Sequence, residues 1–232
     1  MRSYRLLTFF LVLNVAFQLI SDATAGKIIS VFGFGVSVTV IYFPIVYVIS
    51  DVVTEVYGYA KARWILWYTL AASVVAGVMY QLAVVVPPAH FFEAQDAYAT
   101  VFGVVPRVLL GGWLAVFSGE ICNNFVLAKL KVLMSGRMLW VRTISSTFVG
   151  QFVNTTVFYL VALSGVIPSN LLVTGILAGW LTKTAVEIVM TPFTYAVVAK
   201  VKKFENEDFY DHNTDFNPFK LREDDDTNSR KL

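Results

Sequence analysis

Apolar residues fall in six long runs, roughly 5–24, 36–56, 64–86, 104–127, 144–166 and 171–198, separated by short stretches that carry turn formers. Each run is about the 17 to 25 residues that carry a helix across a bilayer core. Helices are the expected elements because hydrocarbon offers no partner to backbone polar groups, and the runs are too long and too uniformly apolar for barrel strands. Gly33 and Gly35, Pro87 and Pro88, Gly136, Gly165 and Pro168 mark the connections. The expected fold is therefore all-α: a polytopic membrane protein whose residues 1–203 form a six-helix transmembrane domain.

Composition agrees with that pattern. Of 232 residues, 57% are hydrophobic and 15% charged, against about 25% charged in an average soluble domain. Nine of the sixteen acids lie in the last 28 residues, so residues 204–232 are read as an acidic cytoplasmic tail, partly disordered. With a cytoplasmic N-terminus, the inside segments hold fifteen of the eighteen Lys and Arg residues, and the positive-inside rule then places both termini in the cytoplasm. Arg2, Arg5 and the apolar stretch that follows also have the look of a signal peptide, but Asn14 and Gln18, four residues apart, are not what a plain signal core needs. One cysteine, Cys122, and two histidines, His90 and His212, exclude a disulfide scaffold and a multi-histidine metal site. No cofactor or nucleotide fingerprint is present, and nothing suggests a nucleic-acid partner.

The second, fourth and sixth runs share an ending: Ala60-Lys61-Ala62-Arg63, Ala128-Lys129-Leu130-Lys131 and Ala199-Lys200-Val201-Lys202. Counting back from these endpoints at about 1.5 Å per residue places Asp51 and Glu120 roughly 12 to 14 Å, and Lys183 roughly 24 Å, from the cytoplasmic ring. Ionisable groups at such depth usually face the bundle interior and mark a site. The candidates are Tyr47, Asp51 and Glu55 on the second helix, and Glu120 with Asn123 on the fourth. Gln151, Asn154 and Phe158 share a stripe on the fifth, and Lys183 and Glu187 stand one turn apart on the sixth. Four carboxylates against one deep lysine leave an acid to meet a proton, a cation or a substrate donor. Glu55 also lies near enough to the interface to pair with Lys61 or Arg63. Gly111, Ala115 and Gly119 on the fourth helix, and Gly175 and Gly179 on the sixth, read as close-packing rows. They are expected to bring those two helices together, and Glu120 toward Lys183. Pro44 and Pro192 fall inside runs and permit kinks.

The segments FPIVYVISDVVTEVYGYAKAR (Phe43 to Arg63), SGEICNNFVLAKLK (Ser118 to Lys131), GRMLWVRTISSTFVGQFVNTTVF (Gly136 to Phe158) and the stretch from Leu181 to Asp211 resemble the vitamin uptake transporter (VUT) family. These are six-helix bacterial membrane proteins regarded as queuosine precursor transporters. The likeness extends to Asp51, Glu55, Arg107, Gln151 and Lys183. It departs at Asn154, where many members carry Asp, and some relatives have Gln and Asp in place of Glu120 and Asn123.

The resemblance implies a non-enzymatic transporter of the bacterial inner membrane. Its cargo would be a small molecule of the 7-deazaguanine type, such as 7-cyano- or 7-aminomethyl-7-deazaguanine. Such a base is flat and presents ring and amino N–H groups that a carboxylate, Glu120 or Asp51 ahead of the shallower Glu55, accepts together. Gln151, Asn154 or Lys183 would meet the ring carbonyl, and Phe43, Tyr47 or Phe158 would stack on its face. Other readings are the substrate-binding subunit of an energy-coupling-factor vitamin importer and, with no catalytic set to support it, an intramembrane enzyme or scaffold. The lipid bilayer is the other partner, and the sequence leaves an oligomer open.

Overall fold

The structure, a computed structural model, describes residues 4–24, 27–31, 34–103, 106–165 and 168–220. Helices stand at every expected run: α1 (Arg5–Thr24), α2 (Phe43–Tyr57), α3 (Tyr59–Val85), α5 (Pro106–Leu133), α6 (Leu139–Phe158) and α7 (Ser169–Glu205). A short helix, α4 (Gln95–Phe102), and an antiparallel hairpin, β1 (Ile28–Val31) with β2 (Phe34–Ser37), occupy two connections. Among the described residues, five segments are long and apolar enough to cross a membrane: Arg5–Thr24, Tyr59–Val85, Gln95–Leu133, Leu139–Leu163 and Leu172–Glu205.

The run at 36–56 is organised differently. It begins in β2, passes through a 3₁₀ turn at Val38–Ile41, and leaves only 15 residues for α2. At about 1.5 Å per residue α2 is roughly 22 Å long, and the turn adds about 8 Å. α2 is also the most enclosed element: Val46 to Ile49 and Asp51 to Tyr57 are all buried. α1, α3, α6 and α7 close around it through Phe10, Ile65, Leu139, Val198 and Val201. Pro44 sits in the first turn of α2, where no backbone N–H is needed, so it starts the helix and does not kink it. Pro192 does lie inside α7.

Beside this apolar core the bundle encloses charged and amide side chains, and its outer surface is apolar. Asp51, Glu55 and Asn123 are 0% exposed, whereas Val189 is 77% and Val85 75% exposed. That inversion suits lipid as the surrounding medium.

Two expectations about packing are corrected. The small residues of the fourth run do not meet the sixth. A Cβ on Gly119 would lie 2.6 Å from Asn154 Cβ, and one on Gly150 would lie 2.8 Å from Asn123 Cβ, so α5 and α6 interlock backbone to backbone. Gly111 faces Ala162, while Gly175 and Gly179 face Tyr159 and Thr155. The fifth span therefore separates the fourth from the sixth. The Ala60 to Arg63 signature likewise does not end the second helix. Gly58, at φ +87°, breaks the chain after α2, and Ala60 to Arg63 fall in the first turns of α3.

Beyond α7 the chain folds back onto one end of the bundle through residues 206–220. Phe209 is buried beside Gly58, and its N–H donates to Val56 O at 3.1 Å. Arg63 donates to the carbonyls of Asp215 (2.8 Å) and Asn217 (2.7 Å), and Trp67 Nε1 to that of Pro218 (2.8 Å). Asp211 accepts the Tyr59 N–H with both oxygens, at 3.1 and 3.2 Å, and so caps α3. Asp211→Ala is expected to cost about 1–2 kcal/mol, the usual loss for a helix cap. The reading is a lower heat-unfolding midpoint of the detergent-solubilised chain; an unchanged midpoint would show that the cap carries no weight. Burial would raise the Asp208 carboxyl, but the ammonium groups of Lys131 and Lys202 outweigh it and hold it below its ordinary 3.8. Its stabilising contribution is therefore complete above the ordinary value and lost as pH falls through the lowered one.

Candidate functional site

α2 divides the polar interior into two compartments and a charged end. The first compartment lies between α2, α6 and α7. It holds a cavity of about 30 Å³ lined by Tyr47, Thr147, Gln151, Thr182, Lys183 and Glu187, among others. Lys183 Nζ donates to Asn154 Oδ1 at 2.9 Å, so the amide at the departure position still holds the deep ammonium through its carbonyl. Glu187 is 3% exposed, and its Oε1 has no hydrogen-bond partner among the described residues.

Asp51 stands behind this cavity. Its Oδ1 accepts from Asn123 Nδ2 at 2.9 Å, while Oδ2 has no partner among the described residues. Thr147 donates toward Asn123 Oδ1 at 3.5 Å, completing a short chain from α6 through α5 to α2. A buried acid among acids favours whatever brings in hydrogen or positive charge.

Glu120 is on the other side of α2. Ser50 Oγ donates to it and to Asn124 Oδ1 (2.9 Å), and a second cavity, of about 20 Å³, adjoins it against α1 and α3. The expected meeting of Glu120 with Lys183 does not occur, because α6 lies between their helices.

Glu55 belongs to the charged end. Arg142 grips it in a fork, Nη1 to Oε2 at 2.7 Å and Nη2 to Oε1 at 3.2 Å. Lys202 Nζ lies 2.7 Å and Lys131 Nζ 3.6 Å from Oε1. Lys131 and Lys202 also bond Asp208, at 2.6 and 2.8 Å, which ties the tail into the same cluster. Glu55 is thus fully buried with cations from α5, α6 and α7, and its partners are neither Lys61 nor Arg63.

Of the expected site residues, Tyr47, Gln151, Lys183 and Glu187 line one cavity, with Asn154, Asp51 and Asn123 directly behind. Phe158 packs edge-on against Tyr159, at 6.1 Å between ring centres, and does not line it. Phe43 side-chain placement lies outside the described residues. Arg107 bonds the carbonyls of Val161 and Ser164, each at 2.6 Å, and so closes the π-helical turn Tyr159–Leu163 that follows α6. The sequence reading missed Arg142, Lys131 and Lys202 as a unit, since loop basic residues count toward orientation whether or not they are buried. It also passed over Asp22, which extends the Asn14 and Gln18 spacing by a further four residues.

A chain with several apolar spans, a lipid-compatible exterior and acids, amides and an ammonium enclosed within is a multi-pass membrane protein. The family model described as "Putative vitamin uptake transporter" matches residues 37–197, and the chain belongs to that family of transporters. A curated relative, the "Probable queuosine precursor transporter" of Bacillus subtilis (strain 168), is 29% identical over 171 residues, covering 73% of this chain and 75% of the relative. No solved structure matches the chain.

Proposed function

We propose that the chain imports queuosine precursors of the 7-deazaguanine type across the bacterial inner membrane into the cytoplasm. In this reading it crosses six times, with the 3₁₀ turn and α2 making up the sixth crossing, and both termini are cytoplasmic. The cargo site is the cavity between α2, α6 and α7. The observation that carries the reading is the Glu187 carboxylate, buried at that cavity with an oxygen that has no hydrogen-bond partner among the described residues. A buried acceptor of that kind is costly unless a ligand supplies the donor. Tyr47 offers a ring face, and Gln151 and Lys183 offer donors for a ring carbonyl. The name of the Bacillus subtilis relative points to the same cargo class.

The cavity of about 30 Å³ accommodates water and not a bicyclic base; pockets that enclose small molecules start near ~300 Å³. The conformation is accordingly a closed one, and loading requires α2 to part from α6 and α7. Pro192 removes one hydrogen bond from the α7 ladder and gives that helix a place to bend.

The test is a host unable to make queuosine. Expressing this chain is expected to restore queuosine in its tRNA from external precursor at low concentration. Lys183→Ala, at equal membrane level, is expected to reduce initial uptake roughly 30-fold or more, corresponding to about 2 kcal/mol for a lost hydrogen bond to a charged group. Uptake unaffected by Lys183→Ala would discard this cavity as the cargo site. Uptake that appears only with a co-expressed ATPase would replace the secondary carrier by an energy-coupling-factor subunit.

A further inference from the structure

The second cavity has the makings of a different site. α1 carries Asn14, Gln18 and Asp22 at four-residue spacing, which sets them in one row. α3 presents Thr69 and Ser73, also four apart, to that row. Asn14 Nδ2 donates to Thr69 Oγ1 at 2.9 Å, Gln18 Nε2 to Asp22 Oδ1 at 2.9 Å, and Ser73 to Asp22 Oδ2. Trp113 Nε1 closes the row by donating to Ser73 Oγ at 2.9 Å. From Asp22 to Asn14 this polar file covers about 12 Å of helix. It runs from the hairpin end of α1 to the cavity of about 20 Å³ where Asn14, Gln18, Ser50, Thr69 and Glu120 converge.

The chemistry of that endpoint is specific. The bond from its nitrogen to Thr69 fixes the Asn14 amide, and its Oδ1, in a residue 7% exposed, has no hydrogen-bond partner among the described residues. Glu120, also 7% exposed, contributes one carboxylate, and Ser50 and Thr69 contribute hydroxyl oxygens. Amide, hydroxyl and carboxylate oxygens are hard donors that suit hard cations. One formal negative charge balances a monovalent ion and would leave a divalent one uncompensated. The volume accepts a single ion of about the size of water and no organic cargo.

The geometry points to a sodium-type monovalent cation site formed by Asn14, Ser50, Thr69 and Glu120, reached along the Asp22–Gln18 row. α2 separates this site from the cargo cavity, and Ser50 and Asp51 are neighbours on it, so an ion on one side changes the charge felt on the other. The binding site stands on its own geometry; its role in coupling rests on the transporter reading.

The test begins with the purified full chain in detergent, without cargo, melted in sodium chloride and in choline chloride at equal ionic strength. Sodium is expected to raise the unfolding midpoint by about 3 °C or more. Glu120→Gln is expected to abolish the shift, and Thr69→Val, which keeps the shape and removes the oxygen, to move it to higher sodium. Equal melting of the wild type in both salts, or a full shift retained in both variants, overturns the site. In proteoliposomes, removing sodium at fixed pH is expected to slow precursor uptake about 5-fold or more, the lower end of coupling between two sites. Uptake that follows a proton gradient and ignores sodium overturns the cation assignment and leaves the carrier intact. Sodium stabilisation without any precursor uptake sinks the carrier and leaves the cation site standing.

Discussion

Glu55→Ala is expected to be the most damaging single truncation in the bundle. It removes the anion at the centre of the charged end and leaves Arg142, 1% exposed, and Lys131, 1% exposed, facing each other and Lys202. Asp208 alone would then answer three cations, and it reaches two of them. Removing one partner of a buried pair costs about 3–5 kcal/mol because the other charge stays buried without compensation. A marginally stable chain has roughly 5–15 kcal/mol in total, so a large share of the protein should be lost from the monodisperse fraction after solubilisation. Glu55→Ala with Arg142→Ala should recover part of the loss, because the stranded guanidinium goes with its partner. A Glu55→Ala chain that melts like the wild type would show that Glu55 is not structural, and would return it to the cargo-binding candidates.

That cluster also shows what a sequence can and cannot convey in a membrane bundle. Hydropathy located the helices because a span must satisfy its own backbone, which makes it visible one segment at a time. The same signal did not distinguish α2, enclosed by four other helices, from a lipid-facing span, since hydrocarbon and a packed interior both select apolar side chains. Nor did it give neighbours. Gly119 and Gly150 are 31 positions apart, and nothing local says that each occupies the space a Cβ on the other would need. Basic residues were counted for orientation, and Arg142 is read that way until Glu55 is found within its fork. The polar positions were legible as a set, because each is expensive at depth. Their division by α2 into a Glu187 side and a Glu120 side depends on long-range packing that spacing within a helix does not encode.

The division sharpens the choice of the acid that holds the cargo. Asp51 and Glu187 are both buried with an oxygen unmatched among the described residues, but Asp51 already gives Oδ1 to Asn123, whereas Glu187 lines the cavity. A guanine-type edge donates from a ring N–H and an amino group side by side, and it needs two acceptors. Glu187→Gln keeps size and shape but turns one acceptor into a donor aimed at a donor. A site built to match such a pair rejects the mismatched case by about 10⁴- to 10⁵-fold, so a loss of at least about 10²-fold in low-concentration uptake is expected even with partial adjustment. Asp51→Asn leaves Oδ1 able to accept from Asn123, and its effect is expected to stay within about tenfold, near 1.4 kcal/mol. The comparison requires both variants at wild-type membrane level, measured as initial rates over a range of precursor concentrations. The reverse order, with Asp51→Asn inactive and Glu187→Gln near normal, would move the cargo edge one layer inward to Asp51 and make Glu187 part of its entrance.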